Sequence, residues 1–189
     1  VTNTVYKNDK FEISYQDKAN NKILTENFDY VVVSSGHFSV PFIPEYKGMN
    51  SFPGRIMHSH DFRDAEEFRG KDIVVLGSSY SAEDVALQCN KYGAKSVTIG
   101  YRHNPMGFKW PKGMKEVHYL DRLEGKKAIF KDGAKQDADV IILCTGYLHH
   151  FPFINEDLKL KTHNRLYPPK LYKDVVWQDK HKLQTLINI

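Results

Sequence analysis

The residues from Ile73 to Asp84 read IVVLGSSYSAED, and they give the clearest indication of the fold. Its four leading apolar residues predict a short buried strand that runs straight into Gly77. A serine-rich turn follows the glycine, and apolar residues then recur at the spacing of one helix face: Ala82, Val85, Ala86 and Cys89. Strand, tight turn and helix in this order direct backbone amides and a helix N-terminus at one point, which suits a bound anion.

The helix is predicted to span residues 81–92. Ser81 and Asp84 have the spacing of a capping box at its start. Gly93 stands where a glycine commonly ends a helix, because glycine adopts the left-handed conformation without steric cost. Both signals indicate a helix of about three turns that follows the strand directly.

The same stretch resembles the corner at which α/β dinucleotide folds hold a pyrophosphate. Its pattern is G-x-S-x-x-A where G-x-G-x-x-G/A is expected, because Ser79 occupies the second glycine position. Gly77 can adopt a positive φ and leaves room for a pyrophosphate, and the Ser79 hydroxyl could bond phosphate. A plain β–α connection in an unrelated α/β domain explains the motif equally well.

The next predicted strand, Ser96 to Tyr101, favours the nucleotide interpretation. NAD sites place an acidic residue near the end of the second strand, where it bonds the adenosine 2′-hydroxyl. Here the strand ends in Arg102 and His103, with no acid nearby. A guanidinium offers charge-assisted hydrogen bonds to a 2′-phosphate and a flat face for adenine. The site is therefore predicted to prefer NADP(H), the alternative being an ordinary surface arginine.

Composition excludes several classes of protein. The 189 residues carry a net charge of +4, and the basic residues are interleaved with acidic ones, which argues against nucleic acid as a partner. No apolar run is long enough to span a membrane, and no signal-peptide pattern opens the chain. Cys89 and Cys144 are interpreted as small buried hydrophobes rather than a disulfide or metal pair. A cytoplasmic location is expected.

The remaining chain contains two segments of similar sequence, called the echo stretches below. Residues 1–34 are predicted to form a β-meander, with a β-rich run at 28–34. The stretches Asp29–His37 and Asp139–Tyr147 each contain an apolar run that ends in a small residue and glycine, and a Pro-Phe-Ile follows each. They are interpreted as two equivalent chain crossings between domains, although convergence of two buried strands is the alternative. A further strand near 128–130 is followed by an Asp-Gly turn, and residues after 146 have no assignment.

The stretch Phe52–Phe62 has the form F-x-G-x-x-x-H-x-x-x-F. His58, His60 and Asp61 could suggest a metal site, but no third well-spaced ligand is evident, and no metal is expected. His149 and His150 lead to the same conclusion.

Together these motifs resemble those of the flavin-containing monooxygenase family. The signature at 52–62 precedes a glycine-turn dinucleotide motif, and Cys144-Thr145-Gly146-Tyr147 is similar to the family's T-G-Y/F motif. The bacterial, amine-oxidising branch is the more similar, through GSSYSAED, KYGAK, the PMG-x-KWP stretch and ILCTGY. The resemblance extends to about Trp177, and the run 179–189 is expected to lie outside it.

The resemblance implies an α/β architecture in which a Rossmann-like, three-layer NADPH-binding domain is inserted between segments of an FAD-binding dinucleotide domain. Residues 1–38 would end the first FAD segment, 39–143 would bind NADPH, and 144–189 would return to the FAD domain. The chain would be a fragment, because the FAD glycine fingerprint and the family's catalytic asparagine have no counterpart in it. No catalytic residue is therefore assigned.

The resemblance also implies site residues. Those for NADPH are Gly77, Ser79, Tyr80, Ser81, Arg102 and His103. Those near the FAD or the domain seam are Ser35, Gly36, His37, Phe38, Thr145, Gly146 and Tyr147.

The implied reaction is N-oxygenation of small tertiary amines such as trimethylamine. NADPH reduces FAD, O2 adds to give a C4a-hydroperoxyflavin, and the amine takes the distal oxygen. A homodimer is expected of the intact protein, and the fragment alone is expected to bind NADP(H) weakly and to be inactive. Two alternatives stay open: another flavoprotein with two dinucleotide domains, of N-hydroxylase or Baeyer–Villiger type, and a non-catalytic NADP-binding module.

Overall fold

The structure is a computed structural model that describes residues 1–159, 171–173, 176–178 and 183–185. Within those residues the strands and the α-helix are β1 (Asn3–Lys7), β2 (Lys10–Asp17), β3 (Lys22–Phe28), β4 (Val31–Val33), β5 (Val40–Pro41), β6 (Arg55–His58), β7 (Asp72–Leu76), α1 (Tyr80–Lys91), β8 (Ser96–Tyr101), β9 (Met114–His118), β10 (Leu120–Glu124), β11 (Lys127–Phe130), β12 (Lys135–Asp137), β13 (Val140–Leu143), β14 (Tyr147–Leu148), β15 (Leu171–Tyr172), β16 (Val176–Trp177) and β17 (Leu183–Thr185). Short 3₁₀ turns cover Met49–Ser51, Ser59–Asp61, Glu66–Phe68 and Glu156–Leu158.

The chain divides into two compact units. The central unit is residues 43–145, and the flanking unit consists of residues 1–42 together with the described residues from 146 onward. The inserted part predicted from the sequence was 39–143, so the central unit begins four residues later and ends two residues later than that range.

The central unit is built on a parallel sheet with the strand order β6-β13-β7-β8-β9. All five residues of β7 and all four of β13 are buried, because both faces of the sheet are covered. Ile73 and Val75 pack with α1 on one face, whereas Val74 and Leu76 pack with the antiparallel sheet β10-β11-β12 on the other. The predicted three-layer α/β class is confirmed.

The helix α1 begins one residue earlier than predicted, at Tyr80, and the capping box is wrong. Ser79 is the N-cap residue, and its side chain makes no capping hydrogen bond. Ser81 lies inside the first turn, where it cannot cap. At the other end the prediction is confirmed: Gly93 has φ 90°, and the amide of Ala94 donates to the carbonyl of Cys89 at 2.9 Å.

The flanking unit contains the predicted meander, β1-β2-β3, paired antiparallel throughout. Phe11 is fully buried and packs with Ile154 and Leu158, two residues from the region that sequence analysis left unassigned. The predicted run at 28–34 is not continuous, since β3 ends at Phe28 and β4 begins at Val31. Strand β4 pairs in parallel with β17.

The two echo stretches each contain a strand followed by a left-handed glycine. Strand β4 precedes Gly36, with φ 74°, and β13 precedes Gly146, with φ 81°. Just beyond these glycines β5 and β14 pair antiparallel, and the amide of Phe42 donates to the carbonyl of Gly146 at 2.9 Å. The two chain crossings therefore lie side by side.

Candidate functional site

The carboxyl end of β7 is a topological switch point. From β7 the chain passes through α1 to β8 on one side, while β13 pairs with β7 on the other. In open α/β sheets ligands bind in the crevice outside the carboxyl ends of the strands at such a point. Gly77 is the first residue beyond β7, so the predicted phosphate corner lies where the topology expects a ligand.

Gly77 itself has a structural role that sequence analysis missed. Its φ is 143°, and a Cβ at this position would lie 2.3 Å from the carbonyl oxygen of Cys144. Its amide donates to the carbonyl of Gly100 at 3.0 Å, which continues the ladder between β7 and β8. The glycine is thus required by close packing of the backbone, and its amide is already used within the sheet.

The first turn of α1 provides open donors. The amides of Ala82 and Glu83 both donate to the carbonyl of Ser79, at 2.8 and 3.1 Å. The preceding amides, of Tyr80 and Ser81, have no partner in the part of the chain that the structure describes, as expected for the first residues of a helix. Ser79, Tyr80 and Ser81 are exposed, and Tyr80 retains 81% of its accessible surface. These groups give the helix an open N-terminus of the kind that attracts anions.

Arg102 and His103 follow directly on β8, as predicted. In the register of the sheet Leu76 lies opposite Gly100, so the end of β8 is next to the turn after β7. Both side chains are exposed, and neither forms a hydrogen bond or ion pair within residues 1–159 or the shorter described segments. Other arginines are engaged: Arg55 pairs with Glu67, and Arg122 binds two carboxylates. The Arg102 guanidinium is therefore available to an external anion.

An aromatic pair that no sequence pattern predicted lies close to Arg102. The hydroxyls of Tyr46 and Tyr119 share a hydrogen bond, and their ring centroids are 5.7 Å apart. Burial, reinforced by this hydrogen bond, raises the pKa of Tyr46 well above its usual value, and the charge of Arg102 opposes the increase. Seventy-three positions separate the two tyrosines, so no local pattern indicates their contact.

The signature residues of the 52–62 stretch have packing roles. A Cβ on Gly54 would meet the Phe52 ring at 2.6 Å and the Asp139 carbonyl oxygen at 2.3 Å. His58 ends the edge strand β6 and is 3% exposed, and its Nδ1 accepts a hydrogen bond from the amide of His60 at 3.0 Å. This bond caps the 3₁₀ turn that follows. The signature therefore shapes one edge of the sheet.

The predicted seam residues belong to the crossings. His37 is buried, its ring lies 4.0 Å from that of Phe38, and it stacks on His149 at 5.5 Å. Phe38 is also 4.9 Å from the Tyr147 ring. Ser35 and Gly36 are exposed, and Thr145 and Gly146 are half-buried. Within the flanking unit the structure thus brings His37, Phe38 and Tyr147 together, whereas it gives Ser35 no comparable contact.

The described segments contain neither a cluster of metal ligands nor a membrane-spanning helix. No three His, Cys, Asp or Glu side chains cluster there in a way that could hold a metal ion. The helices described are also too short or too polar to cross a membrane.

Comparison with known proteins identifies relatives across nearly the whole chain. A family model described as flavin-binding monooxygenase-like matches residues 4–106 and 113–188. The match to residue 188 overturns the expectation that 179–189 lies outside the family. The trimethylamine monooxygenase of Pelagibacter sp. strain HTCC7211 is 86% identical over 97% of this chain, which spans 41% of that protein.

Solved structures also match nearly the whole chain. The crystal structure of Tmm from the same strain matches with a TM-score of 0.87 and 85% identity, over 98% of this chain and 42% of that one. The S-allyl-L-cysteine S-oxygenase of Allium sativum matches with a TM-score of 0.78 and 30% identity, over 98% and 43%. The chain therefore spans about two fifths of the length of these relatives.

Proposed function

This chain belongs to the flavin-binding monooxygenase-like family, and from that membership we propose that it is the NADPH-binding part of an amine N-oxygenase. The central unit would bind NADPH, and the flanking unit would contribute segments of the FAD-binding domain. The substrate class would be small tertiary amines, with trimethylamine as the first candidate. The support for the substrate is the 86% identity to a trimethylamine monooxygenase, over two fifths of that protein's length.

The observation that carries the proposal is the open guanidinium of Arg102 beside an open helix N-terminus. A dinucleotide phosphate presents a pyrophosphate and a separate 2′-phosphate, and the site offers one group of donors for each. The exposed first turn of α1 suits the pyrophosphate, and Arg102 with His103 suits the 2′-phosphate. NADH lacks the second anion, so only NADPH would use both.

Each predicted residue has a task in this proposal. The amides of Tyr80 and Ser81 would donate to the pyrophosphate, and the hydroxyls of Ser79 and Ser81 would add donors. Gly77 would act indirectly, by allowing the close approach to Cys144 that sets the turn. When bound, FAD would supply the chemistry that activates O2, and the protein would supply binding, orientation and exclusion of water.

The residues of the two chain crossings would lie near the flavin ring of bound FAD. Within the flanking unit His37, Phe38 and Tyr147 form one aromatic group, which would offer flat apolar surface to a ring system. The neighbouring residues of the crossings would also lie near the FAD: Ser35, Gly36, Thr145 and Gly146. The structure describes one α-helix and therefore one β–α corner, so a second dinucleotide would need residues from elsewhere in the intact protein.

The test is a titration of the purified chain with NADPH and NADH. We expect NADPH to bind more tightly, and Arg102→Ala to raise its Kd about 10- to 100-fold, since hydrogen bonds between charged groups contribute about 1.5–3 kcal/mol. The Kd for NADH should change by less than about twofold. Arg55→Ala is the matched control, because it removes the same charge at the amino end of the sheet.

Equal affinity for the two nucleotides, or an Arg102→Ala variant that keeps the NADPH preference, would remove Arg102 from this role. A loss of the same size in Arg55→Ala would show that net charge, and not the site, determines the affinity.

The proposal extends to setting and assembly. Both cysteines are buried free thiols, which fits a reducing, cytoplasmic compartment. The intact protein would be a homodimer that takes an amine and O2 as substrates. Sedimentation of the intact protein tests the assembly, and a monomer at micromolar concentration would contradict it.

A further inference from the structure

The loop after Arg102 is held by a single carboxylate. Glu116 lies on β9 and accepts three hydrogen bonds from this loop. The amide of Met106 donates to Oε1 at 2.6 Å, the amide of Gly107 to Oε2 at 3.1 Å, and the indole Nε1 of Trp110 to Oε2 at 2.9 Å. No pattern in the sequence points to this residue.

The restraint acts close to Arg102. Strand β8 fixes the chain up to Tyr101, and the first contact of Glu116 is at Met106. Between these points lie Arg102 and three further residues, of which Pro105 has a fixed φ and limits the residue before it. A segment this short, held at both ends, has little freedom to move Arg102 away from the end of β8.

We propose that Glu116 is a positioning residue for nucleotide specificity: by holding the 106–110 segment it keeps Arg102 placed for a 2′-phosphate. The inference rests on the proposed NADPH site and deepens it. Since the pyrophosphate donors belong to α1, which Glu116 does not contact through these bonds, the loss should fall on NADPH and spare NADH.

The experiment measures the Kd of NADPH and NADH for the 189-residue chain and its variants, together with amide hydrogen exchange of residues 103–113. Glu116→Ala should lower the preference for NADPH about tenfold, with the NADH Kd within about twofold and faster exchange in the segment. Glu116→Gln, which keeps one carbonyl acceptor without the charge, should lie between Glu116→Ala and the parent chain. Glu124→Ala is the control, because it removes a carboxylate from β10 without touching the loop.

A Glu116→Ala variant that keeps the NADPH preference, or that loses both nucleotides equally, overturns the proposal. So does a Glu116→Gln variant that falls to the level of Glu116→Ala while exchange stays at the parent rate, because charge alone would then be responsible. If Glu116→Ala does not fold, Trp110→Phe decides in its place. It removes one of the three bonds and should give a smaller selective loss, whereas an unchanged preference overturns the proposal.

Arg102→Ala separates this inference from the function beneath it. If Arg102→Ala loses the NADPH preference and the Glu116 variants keep it, only the inference fails. If the parent chain shows no preference and Arg102→Ala changes nothing, the proposed function fails and the inference fails with it.

Discussion

Asp72 and Asp139 hold each other through reciprocal hydrogen bonds. The amide of Asp139 donates to the carbonyl oxygen of Asp72 at 2.8 Å, and the amide of Asp72 donates to Oδ2 of Asp139 at 3.0 Å. Lys126 contacts the other carboxylate oxygen of Asp139 at 3.0 Å. This arrangement joins the amino ends of β7 and β13, whereas the candidate site lies beyond the carboxyl end of β7.

Asp139→Asn should lower the free energy of unfolding by about 1 kcal/mol at pH 7, a typical effect of weakening a hydrogen bond to a charged group. The amide of Asp72, and then Lys126, lower the pKa of Asp139 in the folded protein. Its contribution is therefore complete above the ordinary Asp pKa and is lost as the pH falls through the lower, folded value. Urea unfolding at pH 7 and pH 3 measures the effect.

The difference between the parent chain and Asp139→Asn should be larger at pH 7 than at pH 3, because pH 3 lies below the ordinary Asp pKa and the loss has begun there. Asp157→Asn is the control, since it removes the charge of a carboxylate that is exposed to solvent in the flanking unit. A difference that is the same at both pH values would contradict the electrostatic explanation.

Gly77→Ala should destabilise the chain by about 1–3 kcal/mol, because the new methyl group would overlap the Cys144 carbonyl and the backbone there has φ 143°. Gly125→Ala is a matched comparison, since its φ is also positive, at 56°, but nothing lies within 4 Å of its Cβ position. Thermal unfolding of both variants compares the effect of the overlap with Cys144 at Gly77 with the effect of a positive φ alone at Gly125. Equal shifts in Tm would show that the approach of Cys144 contributes nothing.

Cys89 and Cys144 should be unreactive in the folded chain. Burial raises the pKa of each thiol to about 12, so very little thiolate is present at pH 8. Ellman's reagent at pH 8 should label no thiol within minutes and both thiols in 6 M guanidinium chloride. Rapid labelling of one thiol without denaturant would mean that its helix or strand end opens on that timescale.

Tyr46→Phe should lower the free energy of unfolding by about 1 kcal/mol at pH 7, because the hydroxyl of Tyr119 loses its half-buried partner. The raised pKa of Tyr46 adds a dependence on pH. Above about pH 10 the unfolded chain releases the phenolic proton that the folded chain retains, so the stability of the parent declines as the pH rises. Tyr46→Phe should decline less between pH 9 and pH 11 in urea unfolding. Parallel declines would contradict the assignment.

Local patterns were sufficient for the corner of the fold. The apolar run before Gly77 and the spacing from Ala82 to Cys89 predicted β7 and α1 to within a residue, and the limits of β8 were predicted as observed. The helix start was wrong because Ser81 matches a capping box that the helix does not use. Tyr80 already has helical geometry, and the N-cap is Ser79.

Contacts between distant positions explain what could not be predicted. The carbonyl of Cys144 leaves no room for a side chain at Gly77, and the hydroxyl of Tyr119 is the hydrogen-bond partner of Tyr46. Glu116 accepts hydrogen bonds from a loop that has no periodic pattern. Strand β6 was missed for a related reason. Its residues, Arg55–His58, show no apolar run or alternation and were interpreted only as part of the 52–62 motif. They form a strand because they pair with residues 140–143 of β13, which are distant in sequence.

The hydrogen bond between Phe42 and Gly146 makes residues 43–145 a transferable module. Their two ends are attached to neighbouring, paired strands, so a replacement segment would not have to bridge a gap. Grafting the corresponding segment of a relative between Phe42 and Gly146 would exchange the proposed nucleotide site as one piece. The same closeness means that a linker of about four to six residues could join Ile43 to Thr145, which opens the way to circular permutants with new ends in exposed turns.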